Sequence, residues 1–112
     1  MQQTAHPRGV GEPTQLTQRQ RRHLRGLAHH LKPVILLGSG ALTPPVARET
    51  ARALEDHELI KVKAAGGEHA ARDELFAALT RATGSCLVQR IGNVAVLYRP
   101  RAGLPGILLP DP

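Results

Sequence analysis

The chain has 112 residues, enough for one small domain built on one core. Fifteen Lys and Arg against nine Asp and Glu leave a formal charge of +6, which favours a polyanionic partner, either nucleic acid or an anionic membrane surface. A single cysteine excludes an internal disulfide and a thiolate zinc site, no run approaches the roughly 20 apolar residues of a membrane span, and the N-terminus lacks a signal-peptide core, so a cytoplasmic protein is expected.

Residues 1–15 are polar, with Pro and Gly and no periodicity, and read as a flexible arm. Thr17 opens a capping-box pattern with Gln20, and Leu16 can serve as the preceding hydrophobic residue of a staple. The helix that starts there carries Leu24, Leu27, Ala28 and Leu31 on one face, Arg22, Arg25 and His29 on a flank and Arg21 beside them; Pro33 disfavours helical geometry at Lys32 and is expected to end it. Val34–Leu37 then has the length of a buried strand and stops at Gly38 and Gly40. Thr43 and Pro44 read as the N-cap and first position of a second helix, about Pro44–Asp56, with Val46, Thr50, Ala53 and Leu54 inward. A strand, a small-residue loop and a helix N-terminus can present amides to a phosphate, or can simply be a tight turn.

Ile60 and Val62 alternate with Lys61 and Lys63, the period of a strand with one buried face, so both lysines leave the same side of a sheet. Residues 65–69 form a loop into a third helix, about Ala70–Thr83, closed by Gly84. Two strands, Ser85–Ile91 and Val94–Arg99, flank Gly92-Asn93, a dipeptide suited to a two-residue hairpin. The order is αβαβαββ, an α/β fold with a four-stranded mixed sheet packed with helices; the two β-α-β passages favour parallel neighbours and the last pair is antiparallel. Residues 101–112 form a proline-broken tail with Ile107, Leu108 and Leu109, which packs back on the domain or against a partner.

Enzymatic signals are sparse. His29 and His30 point to different faces of a continuing helix, His57-Glu58 at a helix-to-strand junction suits a structural or capping role, and Asp73 and Glu74 read as solvated. Cys86 reads as a small buried hydrophobe. No catalytic residue, metal or cofactor is expected. Phe76 and Tyr98 are the only residues among Phe, Tyr and Trp, so an aromatic platform for bases is poorly supplied and an RNA ligand would be gripped by its backbone and shape.

Four stretches, L-T-Q-R-Q-R-R-H-L-R, L-L-G-S-G-A-L-T-P-P-V, A-L-E-D-H-E-L-I-K-V-K and A-T-G-S-C-L-V-Q-R-I-G-N-V-A-V-L-Y-R-P, together resemble the CRM domain of the CRS1/YhbY family of RNA-binding proteins, over residues 16–100. The resemblance implies a fold like the C-terminal domain of translation initiation factor 3 and KH-like folds. It implies RNA as partner, specifically ribosomal RNA in precursors of the large ribosomal subunit, as for the stand-alone bacterial YhbY proteins; plant relatives serve group II intron splicing. No DNA or membrane partner is expected, and the domain is expected to be a monomer.

The family's GxxG loop falls on Gly38, Ser39, Gly40 and Ala41, with alanine in place of the last glycine and no basic residue inside the loop. A left-handed backbone at Ala41 would cost roughly 1 kcal/mol unless Gly40 absorbs the turn. Pro44 and Pro45 lack amide hydrogens and Thr43 is expected to cap the Val46 amide, so a phosphate is assigned to the amides of Ser39–Leu42 with the helix dipole assisting. The RNA-binding candidates are therefore Gly38, Ser39, Gly40, Ala41, Leu42 and Thr43 in the loop, with Arg21, Arg22, Arg25, Lys32, Lys61 and Lys63 supplying most of the affinity. A protein-binding adaptor, using the apolar tail or the outer face of the sheet, is the alternative. A membrane-surface role is disfavoured because the apolar face of the basic helix is needed for the core.

Overall fold

The computed structural model describes residues 15–65 and 67–112; the arm expected over residues 1–15 lies, apart from Gln15, outside them. Seven elements follow in order: α1 (Gln18–Ala28), β1 (Pro33–Leu37), α2 (Pro44–His57), β2 (Leu59–Ala64), α3 (His69–Thr83), β3 (Cys86–Ile91) and β4 (Val94–Tyr98). This is the αβαβαββ order expected from the sequence. α1 begins with the capping box: the Gln20 amide donates to the Thr17 hydroxyl and the Thr17 amide to the Gln20 side chain, both at 3.1 Å. Leu16 packs on the core beneath the helix. The helix ends at Ala28, earlier than Pro33 alone implies, and residues 29 and 30 form a turn closed by His29 N–H to Gly26 O and Leu31 N–H to Ala28 O. Gly26 in the last turn and two weak helix formers after it account for the early stop.

The sheet order is β1-β2-β4-β3, with β1 parallel to β2 and the other contacts antiparallel. The first β-α-β passage thus joins parallel neighbours as expected, but the second does not, because β4 lies between β2 and β3. The reason is legible in β4 itself: Val94–Tyr98 is V-A-V-L-Y, apolar at every position, and Ala95–Tyr98 are all buried, as suits a strand covered on both faces. The hairpin turn is formed by Gly92, at φ +58°, and Asn93, whose side chain and carbonyl bond the backbone of Ala64 at 2.8 Å.

Two cores lie on opposite faces of the sheet. On one, Ile35, Leu37, Ile60, Val62, Ala95 and Leu97 pack against Leu54 of α2 and Phe76 and Leu79 of α3. On the other, α1 lays Leu24 and Ala28 over Leu59, Cys86, Val88, Val96 and Tyr98. Leu27 and Leu31, expected on the same buried face, remain 44% and 38% exposed.

The tail packs back on the domain. Ile107 and Leu109 join the second core, and the Gln20 side chain donates to Pro110 O at 3.1 Å. Glu58, 1% exposed, holds the tail: its carboxylate accepts the amides of Arg101, Gly106 and Ile107 at 2.6, 2.9 and 2.8 Å. Its backbone, at φ +64°, caps α2 through Leu54 O, which realises the structural role expected of His57-Glu58. Arg101 donates to the carbonyls of Glu55 and Asp56 at 3.0 and 2.9 Å, placing a cation at the helix end where those two acidic residues are disfavoured. Replacing Glu58 by Gln turns one oxygen into a donor facing amide donors and is expected to cost about 2 kcal/mol. Urea unfolding measures this, and a loss below about 0.5 kcal/mol would show that the clasp contributes little to stability.

Candidate functional site

The two cations of β2 leave the sheet on the α1 side. Register sets Leu36, Lys63, Val94 and Ile91 in one row across the four strands, and Lys61, Val96 and Gln89 in the next. α1 covers the far part of this face and leaves the hairpin end open, where Leu36 is 72% and Ile91 65% exposed. A groove of about 700 Å³ runs between helix and open sheet. Arg22, Arg25, His29 and His30 form one wall; Lys61, Gln89, Ile91, Val94 and Val96 form the floor.

The glycine loop begins at the same end of the sheet. Because β1 and β2 are parallel, Leu36 pairs with Lys63 and Leu37 with Ala64, and Ala65 N–H donates to Leu37 O at 2.8 Å, so the loop starts level with Ala65, just past Lys63, and runs toward the α2–α3 side of the sheet. Gly40 takes φ +103° and Ala41 takes no positive φ, so Gly40 absorbs the turn and Ala41 is unstrained. Gly38, Ser39, Ala41, Leu42 and Thr43 border a depression of about 250 Å³ walled by Leu37, Val46 and Leu75. The expected Thr43 cap does not form: the exposed hydroxyl makes no cap bond, and Thr43 engages the helix through its carbonyl, which accepts the Ala47 amide at 3.1 Å. The Val46 amide is thereby left out of the cap, a donor at the loop that sequence reasoning had assigned to Thr43.

The six candidate cations fall into different settings. Arg22, Arg25 and Lys61 meet in the groove, Lys63 lies one row nearer the hairpin end between Leu36 and Val94, and Lys32 borders a neighbouring cleft with Leu27, Leu31 and Val34. Among the described residues none of these five forms an ion pair. Arg21 differs: its guanidinium donates to the carbonyls of Leu87 and Val88 at the irregularity in β3, the second at 3.1 Å, which ties α1 to that strand.

Other polar residues turn inward for support. Arg99 braces Thr83 O and Ala51 O at 2.8 and 3.2 Å. Asp73 and Glu74 are exposed, as expected, and Asp73 also pairs at the surface with Arg90 at 2.5 Å and His69 at 3.3 Å, where β3 brings Arg90 over the Phe76 ring beside the first turns of α3. Cys86 is buried, and burial pushes its thiol above the ordinary cysteine range, which opposes nucleophilic chemistry.

The sequence reading missed His29, His30 and Gln89 as groove residues. On a helix continued to Lys32 the two histidines diverge; in the turn after Ala28 their rings lie 5.1 Å apart, edge to face. Gln89 follows from the two-residue hairpin: the pairs Ile91–Val94, Arg90–Ala95 and Gln89–Val96 run in one register and set Gln89 in the row of Lys61, and the β3 irregularity comes only beyond it.

The model of the CRS1 / YhbY (CRM) domain matches residues 16–99. The chain belongs to the CRS1/YhbY (CRM) domain family. Its relatives include a Haemophilus influenzae protein named "RNA-binding protein", 47% identical over 87 residues, 78% of this chain and 88% of the relative. A Pseudomonas aeruginosa protein named "Probable RNA-binding protein" is 46% identical over 75% of this chain and 81% of its own length. The solution structure of a hypothetical Staphylococcus aureus protein is similar at a TM-score of 0.74 and 38% identity, covering 86% of this chain and 100% of that one. The H-E-L-I-K and L-Y-R-P stretches meet in this structure: Leu59 pairs with Tyr98, and Arg99 N–H donates to Glu58 O at 2.9 Å.

Two outcomes follow from this geometry. Gly40→Ala is expected to lose about 1 kcal/mol of stability, whereas Ala41→Gly lowers stability by about 0.5 kcal/mol through the unfolded chain; stabilisation by Ala41→Gly in urea unfolding would refute the assignment of the turn. Cys86 has its folded-state pKa raised, so its contribution to stability is complete below the unfolded value and is lost as pH rises through the folded one. Wild-type stability should therefore fall more steeply than that of Cys86→Ala above about pH 8.5, and parallel curves would contradict the burial effect.

Proposed function

We propose that this CRM domain is an RNA-binding protein that grips an RNA backbone along a strip running from Arg22 and Arg25 over Lys61 and Lys63 to the loop Gly38–Thr43. The observation that carries this reading is the set of cations without ion-pair partners among the described residues, at the sheet end where the glycine loop begins. Arginine and lysine side chains would supply most of the affinity through phosphate contacts, and the amides of Ser39–Leu42, joined by that of Val46, would orient the strand. Arg21 contributes its charge while holding α1 on β3. The names carried by the Haemophilus and Pseudomonas relatives support RNA as the ligand.

Within RNA binding, we assign the protein to assembly of the large ribosomal subunit, with ribosomal RNA in its precursors as the target. Affinity for ribosomal RNA fragments should fall steeply with salt. Arg25→Ala and Lys63→Ala should each reduce the slope of log affinity against log salt by about 1. Gly40→Asp should weaken binding by adding charge and strain to the loop. A flat salt dependence in the wild type would overturn the electrostatic reading. Sedimentation of the tagged protein from cells should place it with large-subunit precursors in an RNase-sensitive manner, and association that survives RNA removal would point to protein contacts instead.

A further inference from the structure

Phe76 and Tyr98 are each 1% exposed, so neither offers a ring to a ligand. The exposed π faces at the groove belong to His29 and His30, held edge to face by the turn that ends α1. Opposite them lie aliphatic Ile91 and Val94 and the amide of Gln89, and Arg22, Arg25 and Lys61 line the same groove. A groove suited only to phosphates would need neither exposed rings nor an aliphatic floor. Unpaired nucleotides use all three kinds of surface: base faces stack on rings, base edges bond amides, and phosphates meet cations. An A-form duplex hides its base faces and meets proteins through phosphates and 2′-hydroxyls.

We infer that the groove receives an unpaired stretch of RNA, with a base stacked on the His29–His30 pair, its edge read by Gln89, and flanking phosphates on Arg22, Arg25 and Lys61. The inference rests on the RNA-binding reading and adds to it a preference for single strands and a role for two histidines. Both side chains are exposed, so their replacement leaves the cores intact.

The test uses the full chain with fluorescein-labelled octauridylate, octaadenylate and a blunt RNA duplex of the same length. His29→Ala/His30→Ala should lower single-strand affinity about tenfold, leave the salt slope unchanged and move duplex affinity less than about twofold. His29→Phe/His30→Phe, which keeps the rings and removes their polar atoms, should restore single-strand binding. An equal loss on the duplex, a reduced salt slope or no recovery with phenylalanine would make the histidines charges or structural groups and overturn the inference. Displacement of the single strand by polyglutamate at equal charge concentration would mark a general anion groove and overturn it too. Unchanged RNA binding by the alanine pair sinks this inference alone; a wild type that binds no RNA sinks the RNA-binding reading with it.

Discussion

The Glu58 carboxylate is the point where the helix layer, the sheet and the C-terminal tail are joined. Its residue ends α2, precedes β2 directly and collects three tail amides. The arrangement has costs: a non-glycine φ of +64°, of a kind worth about 1–3 kcal/mol, and a carboxylate withdrawn from water. It persists because three hydrogen bonds, the Arg101 contacts to α2 and the burial of Ile107 and Leu109 oppose those costs together. Ile107 and Leu109 lie against the same core as Leu24 and Ala28, so the clasp also bears on where α1 rests and on the width of the groove beside it.

The arginines divide between two kinds of work. Arg21, Arg99 and Arg101 direct their guanidinium groups at backbone carbonyls, and Arg90 pairs with Asp73 over Phe76. These charges fix helices and strand ends to one another, the planar fork suiting two acceptors at once. Arg22 and Arg25, with the β2 lysines, are left to face solvent across an open sheet. Four of the fifteen basic side chains are thus engaged within the fold, while Arg22, Arg25 and the β2 lysines form no ion pair among the described residues.

Element order, the capping box, the alternating β2 strand, the hairpin turn and the left-handed Gly84 cap were all legible in the sequence, because each depends on residues a few positions apart. The insertion of β4 between β2 and β3 was not, since strand order depends on long-range pairing, although the unbroken apolar run of Val94–Tyr98 was its local sign. Around the candidate site, the glycines marked a turn between β1 and α2, and the alternation of β2 put both lysines on one face. The early end of α1 was less legible, because Pro33 marks only the outer limit of a helix and Gly26 is a weak stop inside it, and the joint position of His29 and His30 depends on that end. Glu58 looked like a junction residue; its three partners lie more than 40 positions away, beyond the reach of any periodicity.

The tail brings the two ends of the folded unit together. Leu16 and Leu109 rest on one core cluster, and Gln20 bonds Pro110, while the groove opens beyond the other part of α1. A folded unit entered and left from a single patch carries its strain-free joint with the rest of any chain on that patch, so the open part of the sheet stays clear of both connections.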